Sequence, residues 1–418
     1  MEYLPKDGVM SVLTQPLRSP ADENTGPPKE WFLGDEWFAR DIDAVFRPRW
    51  LLAGHLDEIS APGAYLTYSL ASEEVFIRRD SEGVIRAYHN VCAHRGARLC
   101  FEKKGIMGKR IVCPYHGWSY SPSDGALLAA PHMHEDFDRL PWRLRAVHVD
   151  VWFGLIFVCL AEERPAPMAD YIGDAQPGGY DLAGLKLASV KTHVVEANWK
   201  IVIENNLECY HCPIHHPELV AVRDWTLNAT NDFDADVRLR AAGLEVIGRE
   251  VASNHAVKGH KICTIRLPRH DGNSTPHAYG LMWEPGLAMS LSPEYGWIFA
   301  PKPIGAARTE LKQYWFVSNE AREGRDYEIA RLQEFWDITM QQDRLICENV
   351  QKGMEMRAFT PGPLNRIYQS GQAGFYAWYM EQMRQRFPEK VHLPERAAAG
   401  VTHSSDETAN LDQHCGGE

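Results

Sequence analysis

The spacing of apolar residues changes several times along the chain. In residues 35–50 the run DEWFARDIDAVFRPRW sets Trp37, Ile42 and Phe46 at helical intervals, and Pro48 ends it. Over about 51–161 the interval falls to two. Short alternating runs (AYLTYSL, EVFIRRD, VIRAYHNV, RIVCPYHGWSY, LIFVCL) are parted by Gly, Pro, Ser and Asp turns, the pattern of a small antiparallel β domain. The densest apolar run, VDVWFGLIFVCL, is rich in β-branched residues and reads as one buried strand. Residues 162–188 form a Pro/Gly-rich connection with a short helix. HVVEANWKIVIENNLECYH starts as a strand and continues as a helix. Residues 261–319 hold three or four aromatic-rich strands, and DYEIARLQEFWDITMQQDRLICENVQKGM is a long amphipathic helix. The first 30 residues read as an extended arm and the last 20 as a disordered tail. There are no internal repeats.

These elements predict an α+β protein: an all-β module, then an α+β domain with an antiparallel sheet and a long C-terminal helix of the helix-grip type. The expected divisions are an N-terminal arm and helix packing on the α+β domain (1–44), the β module (45–162), the α+β domain itself (163–400) and the tail (401–418). Composition adds little to this. The 418 residues are 44% hydrophobic and 24% charged, as in ordinary globular proteins. A formal net charge of −12 argues against a general nucleic-acid binder, which needs a basic face. The N-terminus has no basic-then-apolar leader, and no window approaches a membrane span. A cytoplasmic protein is expected, with its nine cysteines as thiols or metal ligands rather than a disulfide scaffold.

Two hairpin segments, NVCAHRGARLC and IVCPYHGWSY, supply Cys92-x-His94 and Cys113-x-x-His116. Two Cys and two His fit either tetrahedral zinc or a two-iron, two-sulfur centre. Zinc fingers keep each ligand type in its own pair, whereas here each block gives one Cys and one His. That suits two irons side by side, thiolates on one and imidazoles on the other. Gly96 and Gly117 follow the two blocks, which makes ordinary core cysteines a poor explanation. CAHRG…CPYHGW resembles the Rieske iron–sulfur motif. The resemblance implies one [2Fe-2S] cluster, with Cys92 and Cys113 on one iron and His94 and His116 on the other.

A cluster only carries electrons, and the long remaining chain should use them. ENNLECYHCPIHHPEL packs three histidines and two cysteines around Pro213. On a helix, Glu208 and His211 share a face that excludes Cys209 and Cys212, which disfavours a zinc clip. Pro213 should end or kink that helix near Cys212. Spacing alone leaves His215 and His216 open as the second histidine. On the long helix, Asp343 falls on the stripe of Trp336, Met340, Cys347 and Val350. A carboxylate there is costly unless paired or metal-bound. Asp337 and Glu348 lie among polar neighbours instead.

NWKIVIENNLECYHCPIHHPEL is similar to the catalytic motif of Rieske non-haem iron oxygenase α subunits, and QQDRLICENVQKG resembles the segment carrying their third ligand. The resemblance implies one mononuclear Fe(II) held by His211, His216 and Asp343, leaving positions open for O2. It implies that Glu208 links that iron to the cluster of an adjacent subunit in a head-to-tail homotrimer. Glu in place of the more usual Asp matches the subgroup that oxidises quaternary ammonium compounds. A separate flavin and iron–sulfur reductase would supply electrons from NADH or NADPH. Asn198, Glu204 and Asn205 could orient the ligand histidines, and Asn198 best resembles a family position.

AFTPGPLNRIYQSG and neighbouring residues look most like glycine betaine monooxygenases and stachydrine demethylases. The implied reaction is hydroxylation of an N-methyl group with formaldehyde release. A quaternary ammonium is held by aromatic faces. The strands offer Trp283, Tyr295, Trp297, Phe299, Tyr314, Trp315 and Phe316, of which alternate ones must point away from any pocket. A substrate carboxylate would need a basic or amide partner, and none stands out in the sequence. An aromatic-ring hydroxylase and a non-catalytic Rieske electron carrier are the alternatives. Three irons per chain would mark an enzyme and two a carrier.

Overall fold

The computed structural model describes residues 26–172, 179–222, 234, 244–245, 261–272 and 279–388. Most of the expected arm and the whole expected tail lie outside these residues. Helix α1 (Asp35–Asp41) continues into a π-helical turn, Ile42–Phe46. The β module follows with β1 (Leu51–His55), β2 (Ala64–Leu70), β3 (Glu73–Arg79), β4 (Ile85–His89), β5 (Lys104–Ile106), β6 (Ile111–Val112), β7 (Ser119–Tyr120), β8 (Leu127–Ala129), β9 (His148–Trp152) and β10 (Leu155–Cys159). They form three antiparallel sheets of order β1-β10-β9, β4-β3-β2-β5 and β6-β7-β8.

One expectation fails here. VDVWFGLIFVCL is not a single strand but the β9–β10 hairpin. Phe153 (φ 45°) and Gly154 (φ 81°) both take left-handed backbone and turn the chain between Trp152 and Leu155. Two such residues make the tight turn that matches strand twist. Phe is no turn residue, so the apolar run hid the break.

The second half begins with α2 (Met168–Ile172) in the Pro/Gly-rich connection, as expected. It continues with β11 (Leu185–Val195), α3 (Trp199–Asn206), α4 (Cys212–His215), α5 (Pro217–Val220) and β12 (Leu244–Glu245). Next come β13 (Tyr279–Trp283), β14 (Leu287–Leu291), β15 (Gly296–Gly305), β16 (Arg308–Ser318), α6 (Ile329–Met354) and α7 (Ser370–Arg386). β12 to β16 pair in sequence, and β11 adds beside β16, giving an antiparallel sheet of six strands among the described residues. Among the described residues no helix is long and apolar enough to cross a membrane.

Period-two alternation assigns the sheet two faces. Tyr295, Trp297, Phe299 and Trp315 pack with the helical side, against Trp336 and Met340 of α6. Trp283, Tyr314 and Phe316 pack on the opposite side, with Trp50, Leu52 and Phe157 of the β module. The seven aromatics noted in the sequence therefore split four to three, and only the first group faces α6, the helix that carries Asp343.

The start of α3 is anchored deep in the core. Asn198 caps it, its Oδ1 accepting from Lys200 N at 2.9 Å. Such a cap contributes about 1 kcal/mol. The Lys200 ammonium is fully buried and bonds the equally buried Asp41 carboxylate of α1. Asp41 also accepts from Trp199 Nε1 at 2.8 Å and from the Tyr379 hydroxyl of α7. Three helices are thereby locked around one charge pair.

Candidate metal centres

The first constellation is built from two near-identical knuckles. Cys92 N donates to Ala97 O and Cys113 N to Trp118 O, both at 2.8 Å. Gly96 N returns to Cys92 O and Gly117 N to Cys113 O, both at 3.1 Å. The glycines have φ of 71° and 73°, the left-handed region in which a Cβ is disfavoured. The sequence pattern Cys followed four residues later by Gly thus encodes the same turn twice.

The knuckles bring all four predicted residues together. Cys92 and Cys113 are buried, while His94 and His116 lie exposed at the tip with ring centroids 4.9 Å apart. His94 stacks on Trp118 at 4.5 Å. The Tyr120 hydroxyl lies 3.0 Å from Cys92 Sγ. Thiols inward and imidazoles outward fit a cluster whose outer iron is reached from solvent.

The second constellation sits where α3 ends. The expected helix through His211 does not exist: α3 stops at Asn206. Pro213 does not end a helix either. It occupies the first turn of the short α4, where a missing N–H costs nothing. Residues 207–211 form a turn, held as the Tyr210 amide donates to Glu208. The Glu208–His211 pair still forms, with His211 Nδ1 2.8 Å from Glu208 Oε1. Cys209 and Cys212 are joined to each other as a disulfide, so the expectation of free thiols or metal ligands fails for them.

His211, His216 and Asp343 converge. The two Nε2 atoms are 3.1 Å apart, and Asp343 Oδ1 is 2.9 Å from His216 Nε2 and 3.4 Å from His211 Nε2. Metal–ligand bonds of about 2.1 Å at right angles separate neighbouring ligand atoms by about 3 Å, so this spacing fits a facial triad. His216 is 1% exposed, while His215 faces solvent. Asp343 lies on the α6 face with Trp336, Met340 and Cys347, but Val350 is exposed rather than on that stripe. Asp337 instead pairs with Lys191, and Glu348 lies near Arg344.

The neighbours fix the ring orientations. Glu208 accepts from His211 Nδ1, and Gln342 Oε1 accepts from His216 Nδ1 at 2.8 Å. Gln342 Nε2 donates onward to Glu218 Oε2 at 2.9 Å. Both Nε2 atoms are thus turned toward Asp343. Asn205 Nδ2 lies 3.2 Å from His211 Nε2. Asn198, the residue favoured by resemblance, does not reach the histidines: it caps α3 and bonds Phe32 O and Ala306 O. Gln342 and Glu218 carried no signal that sequence spacing could show.

Electrostatics agree with a cation site. Burial works against charge on His211, but its bonds to Asp343 and Glu208 prevail and lift it to about 9. His216 is also raised, its Asp343 bond outweighing burial. Burial would raise Asp343, yet the two imidazoles hold it below the usual carboxylate range. Two carboxylates facing two imidazoles hold protons where a divalent cation would supply the charge.

Family profiles match in the same order. The Rieske [2Fe-2S] domain spans residues 49–149, and the ring hydroxylating alpha subunit (catalytic domain) spans residues 182–385. The glycine betaine monooxygenase oxygenase subunit of Pseudomonas aeruginosa is 34% identical over 401 residues, 90% of this chain and 92% of that one. The chain is a Rieske oxygenase α subunit. Such proteins carry a [2Fe-2S] cluster and a mononuclear non-haem iron. This Rieske oxygenase is also 26% identical to the chloroplastic choline monooxygenase of Spinacia oleracea, over 88% of this chain and 80% of that one. Its fold matches a quaternary ammonium Rieske monooxygenase with TM-score 0.70 at 21% identity, covering 88% of this chain and 100% of that one. It also matches naphthalene 1,2-dioxygenase from Rhodococcus sp. with TM-score 0.68 at 19% identity, covering 90% and 98%.

Proposed function

We propose that this oxygenase hydroxylates an N-methyl group of a small quaternary ammonium compound of the betaine type. In the balanced step one N-methyl ammonium, one O2, one NAD(P)H and one proton give one N-hydroxymethyl ammonium, one NAD(P)+ and one water. The carbinol then collapses to the tertiary amine, formaldehyde and a proton. The observation that carries the oxygen chemistry is the convergence of two Nε2 atoms and one carboxylate oxygen within 3.4 Å. The substrate class rests on the likeness to glycine betaine monooxygenase.

In this reading Cys92, His94, Cys113 and His116 hold the cluster, and His211, His216 and Asp343 hold the iron. The iron, when bound, supplies a site for O2 activation. Glu208 keeps His211 in the tautomer that offers Nε2, and Gln342 does the same for His216. Glu208 is also the proposed bridge to the cluster of a neighbouring copy in a head-to-tail homotrimer. The exposed His94–His116 tip supports this, as do Tyr210 and Ile214, 51% and 80% exposed beside the second centre. A flavin and iron–sulfur reductase using NADH or NADPH is the proposed electron source, in the cytoplasm. We divide the chain into an N-terminal arm and helix (1–44), a Rieske domain (45–162), a catalytic domain (163–400) and a tail (401–418).

Single-turnover chemistry tests the reading. The reduced protein is given O2 with glycine betaine, stachydrine, choline, carnitine or a benzoate. Formaldehyde in step with loss of one methyl from a betaine is the expected result. A hydroxylated arene with no turnover of any ammonium compound would refute the substrate class.

A further inference from the structure

The helix-facing side of the sheet holds polar groups that nothing among the described residues satisfies. Gln313 is fully buried, and neither its amide oxygen nor its amide nitrogen has a partner among them. The same holds for the indole N–H groups of Trp297 and Trp315, 4% and 0% exposed. Such groups are costly in a protein interior and are nearly always paired.

Register shows that they belong together. Trp297 of β15 lies directly opposite Trp315 of β16, and Phe299 directly opposite Gln313. Residues two apart on a strand share a face, so the four make one patch. Trp336 of α6 stacks on Trp297, ring centroids 3.8 Å apart. Phe299 lines a narrow void together with Asp343, Asn205 and Met340. The patch therefore runs from three unsatisfied N–H donor groups, past aromatic faces, to the candidate iron.

We propose that Gln313, Trp297 and Trp315 form the subsite that receives the carboxylate of a zwitterionic substrate. The inference rests on the proposed betaine chemistry and names the amide partner that the sequence did not reveal. The donor set is neutral, so it matches a molecule whose own cation balances its carboxylate. With the carboxylate on Gln313, the ammonium lies over Phe299, whose ring face attracts it. That order points an N-methyl group toward Asp343 and its histidines. Met340 borders the void, and its unbranched thioether re-packs readily to admit a ligand. The subsite ranks carboxylated betaines above choline, whose hydroxyl offers the donors no negative charge.

The test compares iron-loaded wild type with Gln313→Leu and Trp315→Phe, using glycine betaine and choline. Thermal midpoints are read with and without each compound, and KM and kcat for each. Ligand-free Gln313→Leu should melt no lower than wild type, because it removes an amide without a partner. Its KM for glycine betaine should rise about 10- to 100-fold while that for choline changes little, the size expected for a lost hydrogen bond to a charged group. The betaine-induced rise in midpoint should vanish with it, and Trp315→Phe should move both readouts in the same direction. A ligand-free Gln313→Leu that melts several degrees lower would show a structural amide and overturn the proposal. So would equal loss for choline and betaine, or unchanged betaine binding. A wild type neither stabilised by nor active on any ammonium compound would overturn the substrate reading, and this subsite with it.

Discussion

Glu204 lies on α3, seven residues before His211, where the Tyr376 hydroxyl donates to its Oε1 and Gln372 holds its carbonyl. Burial pushes its carboxyl up to about 7, against the pull of Tyr376 and Lys200 and with the help of Glu208. A carboxyl that ionises near 4.5 when unfolded and near 7 when folded binds an extra proton in the fold between those values. Its contribution to stability is therefore fully present below about pH 4.5 and lost as pH rises through 7. The loss amounts to about 3 kcal/mol by pH 8, at 1.36 kcal/mol per pH unit between the two values. Glu204→Gln keeps an acceptor for Tyr376 and removes the titration. Urea unfolding of both iron-loaded proteins, followed by tryptophan fluorescence at pH 5, 6, 7 and 8, measures the difference. The variant should match wild type near pH 5 within about 1 kcal/mol and exceed it by about 2–3 kcal/mol at pH 8. A difference that stays flat from pH 5 to 8 would refute the buried-carboxyl reasoning.

Lys200→Met strands the buried Asp41 carboxylate and should cost about 3–5 kcal/mol. Adding Asp41→Asn should recover most of that loss in thermal or urea midpoints. Asp343→Ala should leave the cluster's visible absorbance intact while iron analysis falls from three per chain to two; three irons retained would remove Asp343 from the ligand set. Gly96→Ala meets only Val91 Cγ2 at 4.0 Å, so its cost is backbone alone, about 1–2 kcal/mol. It should appear as faster bleaching of the cluster under mild denaturant, matched by Gly117→Ala in the second knuckle.

Much of the architecture and both clusters of candidate residues were legible because each rests on a periodic or repeated pattern. The Cys–His blocks carry their own glycines, and Asp343 stands out as a charge on an apolar helix face. Other features depended on contacts that spacing does not encode. The Glu208–His211 pair is expected on a helix, yet a turn makes it, because three-residue separation serves both. Asn205 rather than Asn198 meets the histidine, since α3 ends between Asn205 and His211 and Asn198 is spent on its cap. Gln342 reaches His216 only through the docking of α6, and Glu218 only through Gln342. Gln313 did leave a trace: a lone amide inside the aromatic strand KQYWF, which only the register with Phe299 made meaningful.

The candidate iron donors His211, His216 and Asp343 stand on a short loop and one helix, while the proposed substrate wall belongs to β15 and β16. Their inheritance is therefore separable. A descendant can exchange a wall side chain, keep the backbone ladder that holds the strand, and leave every donor atom where it was. Selection for a new substrate can act on the sheet face one residue at a time, without the lineage passing through a form unable to bind metal. A duplicated gene of this kind starts with its oxygen chemistry already in hand, and its early divergence should be concentrated at alternate positions of two strands.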